Sequence, residues 1–230
     1  MDPRARSWLH VLVSGSHWEQ WHGAYEDPTS SLNRRLALVQ RRVRAGLDEA
    51  PDGPVRLISM CAGQGRDVIG VLSDHPRARD VRACLVELDP GLAVDARRSA
   101  FHAGLSGVMV IQGDGSTTSA YDGAVPADVV LVCGVFGNIS ESDVATTILE
   151  LPRLAAPGAT VVWTRHRRPP DLTPTIRRWF IEAGFEEVAF DTVDGSVMAV
   201  GTNRLVRAPA PFRAAQQMFT FVGDGSGTHI

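Results

Sequence analysis

The chain has 230 residues and a mass of 24.8 kDa; it is 44% apolar and 21% charged, with a net charge of −3. That apolar share fills the core of one domain, and the near-neutral balance gives no electrostatic pull toward nucleic acid or anionic lipid. All 23 basic residues are arginine, a bias that reads as GC-rich coding rather than chemistry. Cys61, Cys84 and Cys133 are odd in number and lie in or beside apolar runs, which predicts buried, reduced thiols in a cytoplasmic protein. No Cys/His set has zinc-site spacing, so no metal is expected, and no apolar run reaches the length of a membrane span. Trp8 to Val13 is too short for a secretion signal.

Near the N-terminus Trp18, Trp21, His22 and Tyr25 share one helical face and predict a helical lid. Its apolar side would exclude water and contact an acceptor through Trp18 and Trp21, while His22 or Tyr25 reaches the ligand. From about 30 to 48, Leu32, Leu36, Val39, Val43 and Leu47 form an amphipathic helical stripe, and Arg34, Arg35, Arg41, Arg42 and Arg44 are read as its solvated face. Pro51-Asp52-Gly53-Pro54 breaks the chain before a strand at 55–60.

That strand runs into Cys61-Ala62-Gly63-Gln64-Gly65-Arg66-Asp67 and then a helix near 66–74. Gly63 and Gly65 allow a tight turn and close approach of a ligand to the backbone. Asp67 is read as a partner of the helix dipole. A second strand at 81–87 ends on Glu87, placed to accept hydrogen bonds from ribose hydroxyls. Asp89-Pro90 starts a helix near 90–103, with Asp89 as its N-cap. A strand near 108–112 leads into Gln112-Gly113-Asp114-Gly115-Ser116, and a fourth strand at 127–133 into Gly134-Val135-Phe136-Gly137-Asn138. A helix near 141–150, a strand at 159–164, a helix near 173–183 and paired strands near 186–191 and 196–205 follow. This order predicts a doubly wound, mainly parallel seven-stranded sheet with an antiparallel last strand, that is, a Rossmann-like α/β fold. His166, after the fifth strand, is a candidate general base, and Arg165 and Arg167 are candidate anion contacts; a solvated loop is the competing reading. Beyond Arg207 the Ala-Pro-Ala-Pro run and glycine-rich end predict a mobile tail with one docking segment, Phe212 to Phe221. The expected organisation is a cap over 1–50, a core over 51–207 and a tail over 208–230, all within one structural domain.

A nicotinamide fingerprint needs glycine or alanine where Val68 stands. Taken together, the glycine loop, Glu87 and the Asp114 loop resemble those of class I S-adenosylmethionine-dependent methyltransferases, over about Val55 to Leu205. The resemblance implies that Cys61, Ala62, Gly63 and Gly65 cradle S-adenosylmethionine, with Glu87 on the ribose and Leu88 against the adenine. It further implies that Asp114 and Gly115 contact the adenine, that Cys133 and Gly134 face the methyl end, and that Phe136, Asn138 and Arg165 face the acceptor. Cys61 stands where the family has its first glycine, and Ser59 where it has an acid near the amino-acid end of the cofactor. The segments Trp21-His22-Gly23-Ala24-Tyr25 and Cys61 to Asp67 also resemble an actinobacterial group of small-molecule methyltransferases. The implied function is methyl transfer to O or N of a small molecule in specialised metabolism, by a protein for which a homodimer is compatible. Nucleic-acid bases are disfavoured because the fourth-strand exit lacks a D/N-P-P-Y/F motif, and metal-assisted catechol chemistry because Asp128 is read as preceding its strand. The alternatives are a cofactor-binding protein without transferase activity and a nicotinamide oxidoreductase.

Overall fold

The computed structural model describes residues 30–222. Seven strands, β1 (Val55–Met60), β2 (Val81–Glu87), β3 (Val108–Gln112), β4 (Ala127–Val132), β5 (Ala155–His166), β6 (Phe185–Thr192) and β7 (Met198–Leu205), form one sheet in the order 3-2-1-4-5-7-6. β7 is antiparallel to both of its neighbours, and the other pairings are parallel. Among the described residues five helices, α1 (Ser31–Glu49), α2 (Arg66–Leu72), α3 (Pro90–His102), α4 (Glu141–Leu154) and α5 (Thr173–Glu182), pack on its faces, with a 3₁₀ helix at Thr118–Ala124. This is the expected doubly wound α/β fold with the antiparallel last strand.

Two apolar clusters fill the space between the layers. On one face Val39, Val43 and Leu47 of α1 join Val68 and Leu72 of α2 and Ala93, Ala96 and Ala100 of α3. On the other, Tyr121 meets Ile148 and Leu151 of α4, Phe180 of α5, and Trp163. The helix ends are satisfied locally. Ser30 Oγ accepts from Asn33 N at 3.1 Å, and Asp89 Oδ1 from Leu92 N at 2.9 Å, as the Asp-Pro pair predicts. At the far end of α1, Arg77 Nη1 donates to the carbonyls of Leu47 and Ala50, each at 2.8 Å, supplying donors that the helix lacks.

Several expectations change. α4 continues through Pro152 to Leu154: the proline has no N–H to give to Ile148 O, but it is buried and only two residues of the helix follow it. Asp128 lies inside β4 as its second residue, and its Oδ2 accepts from Arg56 N at 2.8 Å at the edge away from the strand exits. Arg35 is not on a solvated face: it is 7% exposed. After Arg207 the chain docks where expected, through the segment Phe212 to Phe221. Met218 and Phe219 are each 1% exposed, and single bridges join Thr117 to Gln217 and Ile139 to Phe221.

Candidate active site

The strand order reverses between β1 and β4, so their carboxyl ends open a crevice where ligands of such sheets bind. The loop leaving β1 turns back by placing Cys61, Gly63 and Gly65 in the left-handed region, at φ of 50°, 55° and 68°. Glycine does this without cost, whereas the cysteine pays about 1 kcal/mol. Ala62 N donates to Val86 O at 2.9 Å and Gly65 N to Ala62 O at 2.8 Å, closing the turn against β2.

Glu87 is the centre of this edge. It is 8% exposed; its Oε2 accepts from Gly63 N at 2.7 Å and its Oε1 from Asp89 N at 2.8 Å. A carboxylate has about four lone-pair sites, so two amides leave about two for ligand hydroxyls. Beside it Leu88 is 62% exposed, an apolar surface suited to a flat base. The β3 exit loop closes the other side. Asp114, itself exposed, accepts Ser116 N at 2.8 Å, and Tyr121 Oη donates to Gly115 O at 2.7 Å. A Cβ on Gly115 would stand 2.9 Å from Tyr121 Oη and 3.5 Å from Cys61 Sγ, so only glycine lets the two loops meet.

The β4 exit forms the opposite wall. Gly134, at φ 77°, donates its N–H to Thr164 Oγ1 at 2.8 Å, while Asn138 Nδ2 donates to Gly134 O at 2.7 Å. Arg165 Nη1 donates to Phe136 O. His166 Nδ1 accepts from Arg168 N at 3.3 Å, and a Cβ on Gly137 would lie 3.7 Å from His166 Cδ2, so the histidine stands beside this loop. The C-terminal segment ties both loops: Met218 N donates to Ser116 O at 2.8 Å, Gln217 Nε2 to Ser116 Oγ at 2.7 Å, and Val222 N to Asn138 O at 3.0 Å.

Burial raises the Cys61 thiol to about 12, with Glu87 and Asp114 adding to it, and pushes the Cys133 thiol up as well. Both stay protonated near neutrality and serve as small fillers, not nucleophiles. Burial also lifts the Asp67 carboxyl to about 6, against opposing pulls from backbone N–H groups and Arg35. Arg165 is lowered, chiefly by burial, and its Nε has no hydrogen-bond partner.

The structure thus gathers Cys61, Ala62, Gly63, Gly65, Glu87, Leu88, Asp114, Gly115, Cys133 and Gly134 at one sheet edge, with Asn138, Arg165 and His166 beside them. Phe136 belongs instead to the core: it is fully buried, with its ring 6.0 Å from Trp163 and 6.5 Å from Phe180. Trp18, Trp21, His22 and Tyr25 lie outside the described residues. Thr164, Tyr121 and Gln217 support the loops without any local sequence signal, since their partners are 30, 6 and 101 residues away. Among the described residues no group of three or more His, Cys, Asp or Glu side chains is placed to hold a metal, and no helix is long and apolar enough to cross a membrane.

No protein-family model matches the chain, and no curated protein matches its sequence. Solved structures do match its shape. One is the magnesium protoporphyrin IX methyltransferase of Synechocystis with bound S-adenosylmethionine (TM-score 0.66, 11% identity, covering 86% of this chain and 95% of that one). Another is the 1,6-didemethyltoxoflavin N1-methyltransferase of Burkholderia thailandensis with bound S-adenosylhomocysteine (0.64, 16%, 90% and 92%). A third is an O-methyltransferase family protein from the same organism (0.60, 17%), of which this chain covers 55%. At these identities the likeness is one of fold, the Rossmann-like fold of class I methyltransferases.

Proposed function

We propose that the protein transfers the methyl group of S-adenosylmethionine to an oxygen or nitrogen of a small-molecule acceptor, as a cytoplasmic enzyme of specialised metabolism. The observation that carries this reading is Glu87, nearly buried at the β2 exit yet with acceptor capacity left after binding Gly63 N and Asp89 N. Glu87 would hold the ribose, Leu88 and Asp114 the adenine, and the backbone from Cys61 to Gly65 would line the cofactor. The cofactor supplies an electrophilic methyl on a sulfonium whose leaving group is neutral, so orientation rather than acid catalysis dominates the demand on the protein.

On the acceptor side Gly134, Asn138, Arg165 and His166 stand together. Asn138 and Arg165 hold the β4 exit loop in shape through Gly134 O and Phe136 O. His166 would accept a proton from an O–H or N–H acceptor. Trp18, Trp21, His22 and Tyr25 would cover the ligands from the N-terminal side. Membership in the actinobacterial group rests on the motifs at residues 21–25 and 61–67.

Calorimetric titration with S-adenosylmethionine and S-adenosylhomocysteine tests the reading. Micromolar binding by the wild type and its loss in Glu87→Ala, with thermal midpoints compared, is the expected result. Absence of binding to the wild type overturns it. Binding without product on any acceptor would favour a sensor over an enzyme, and a response to NAD(H) instead would favour an oxidoreductase.

A further inference from the structure

β3 is one edge of the sheet and β6 the other. The β6 edge is guarded: it carries Glu186, Glu187 and Asp191, and its pairing with β7 shifts register between Glu187 and Ala189. β3, Val108-Met109-Val110-Ile111-Gln112, has no charge, and its register with β2 is unbroken. The β2 ladder defines what the open side of β3 offers. Ala83 N donates to Gly107 O and Gly113 N to Glu87 O, each at 2.9 Å. In the parallel register that sets Ala83 beside Val108 and Glu87 beside Gln112, Met109 and Ile111 turn their N–H and C=O groups toward β2. Val108, Val110 and Gln112 turn theirs outward. Val108 N is used locally by Leu105 O at 3.1 Å, and Val110 O accepts from Arg97 Nε at 3.1 Å while keeping a second lone pair. Among the described residues Val110 N–H, Gln112 N–H and Val108 O have no partner.

Apolar side chains flank this edge on both faces of the sheet. Val94 and Phe101 of α3, 55% and 83% exposed, share a helix flank with Arg97, which the bond to Val110 O sets against β3. Met109, 54% exposed, stands on the opposite face from the buried Val110. We propose that two copies of the protein pair through β3, antiparallel about a twofold axis at Val110, so that one sheet runs through both. In that register Val110 exchanges both of its backbone bonds with the same residue of the other copy, and Gln112 N–H meets Val108 O in each direction. Met109 then stands opposite Ile111, an apolar cross-strand pair made twice. The charges agree with this choice of partner. Asp114 follows the carboxyl end of β3, and at the other end Arg82 Nη1 would lie 3.2 Å from a Cβ on Gly107, so the antiparallel register brings an acid toward an arginine. The inference does not depend on the cofactor reading.

Analytical ultracentrifugation of the full chain from about 1 to about 500 µM tests the pairing, since a single short strand makes a small interface and a weak dimer. The average mass is expected to rise from 24.8 kDa toward twice that value. Over the same range the Val110 and Gln112 amides should come to exchange hydrogen at least about fivefold more slowly, with those of β6 unchanged. Met109→Arg puts a charge on the open edge and is expected to hold the mass at the monomer's and to abolish the added protection. Phe101→Ser, at an exposed helix position that leaves the strand untouched, is expected to weaken pairing by about tenfold and guards against an effect of Met109→Arg on folding. Val188→Arg, on the β6 edge, should leave pairing unchanged. A monomer at every concentration, a dimer without added protection at Val110 and Gln112, or a dimer that survives both Met109→Arg and Phe101→Ser overturns the proposal. Protection of these amides in the monomer would show that another part of the chain covers the edge, and overturns it as well.

Discussion

Replacing Asp67 by asparagine should make the protein more stable at neutral pH. Burial is the largest influence on this carboxyl and lifts it from 3.8 to about 6, although backbone N–H groups and Arg35 pull the other way. A carboxyl raised in this way holds its proton more tightly in the folded chain than in the unfolded one. Its contribution to stability is therefore complete below 3.8 and is lost as the pH rises through about 6. Above that range the fold carries a charge it would rather not hold, at a cost of about 3 kcal/mol if the whole shift counts. Solvent at its half-open edge reduces this to about 1–2 kcal/mol. Asparagine keeps the acceptor for Val68 N and sheds the charge. Urea denaturation at pH 7.5 should show the variant more stable by that amount, and at pH 4.5 the gain should shrink to roughly a third, because there the folded aspartate is already protonated. A variant no more stable than wild type at pH 7.5, or a gain that grows toward pH 4.5, would refute the reasoning.

Two further outcomes concern the loops around the site. Cys61→Gly should be more stable than Cys61→Ala by about 1 kcal/mol in paired urea titrations, because both lose the thiol but only glycine suits the left-handed backbone; equal stability would mean that the turn relaxes. Phe219→Ala should cost about 3–4 kcal/mol in the same assay, whereas Phe221→Ala should cost less than about 1 kcal/mol. The two rings are 5.5 Å apart, but the first is 1% and the second 38% exposed. Similar losses would show that the docked segment is not anchored through Phe219.

The sheet was legible because its first strands are largely apolar runs bounded by turn residues: β1, β2 and β3 fall where Val55, Val81 and Val108 begin such runs. β5 was read too short, since Pro157-Gly158 looks like a loop although the strand begins at Ala155, where pairing with β4 shifts register. The 3₁₀ helix at Thr118–Ala124 carries no periodic apolar pattern and is held by Tyr121 beneath Gly115. Of the site, Glu87 and the glycines announce themselves by position at strand ends. The burial of Arg35 does not: helical spacing places it among surface arginines, and only the packing of α1 leaves it 7% exposed. At the end of the chain the apolar segment Phe212 to Phe221 stands out from the proline- and glycine-rich stretches around it, and its Met218 and Phe219 do settle in the core.

The segment that ties the loops also sets a timetable for the molecule. Ser116 meets Gln217 across 101 residues and Asp143 meets Thr220 across 77. All seven strands are complete by Leu205, so the segment that joins the β3 and β4 exit loops comes after the whole sheet in the chain. Such distant contacts form late and slowly compared with local ones. The loops at the crevice thus depend on residues outside the sheet, and a chain truncated before Gln217 would keep all seven strands while losing the contacts that tie the β3 and β4 exits together.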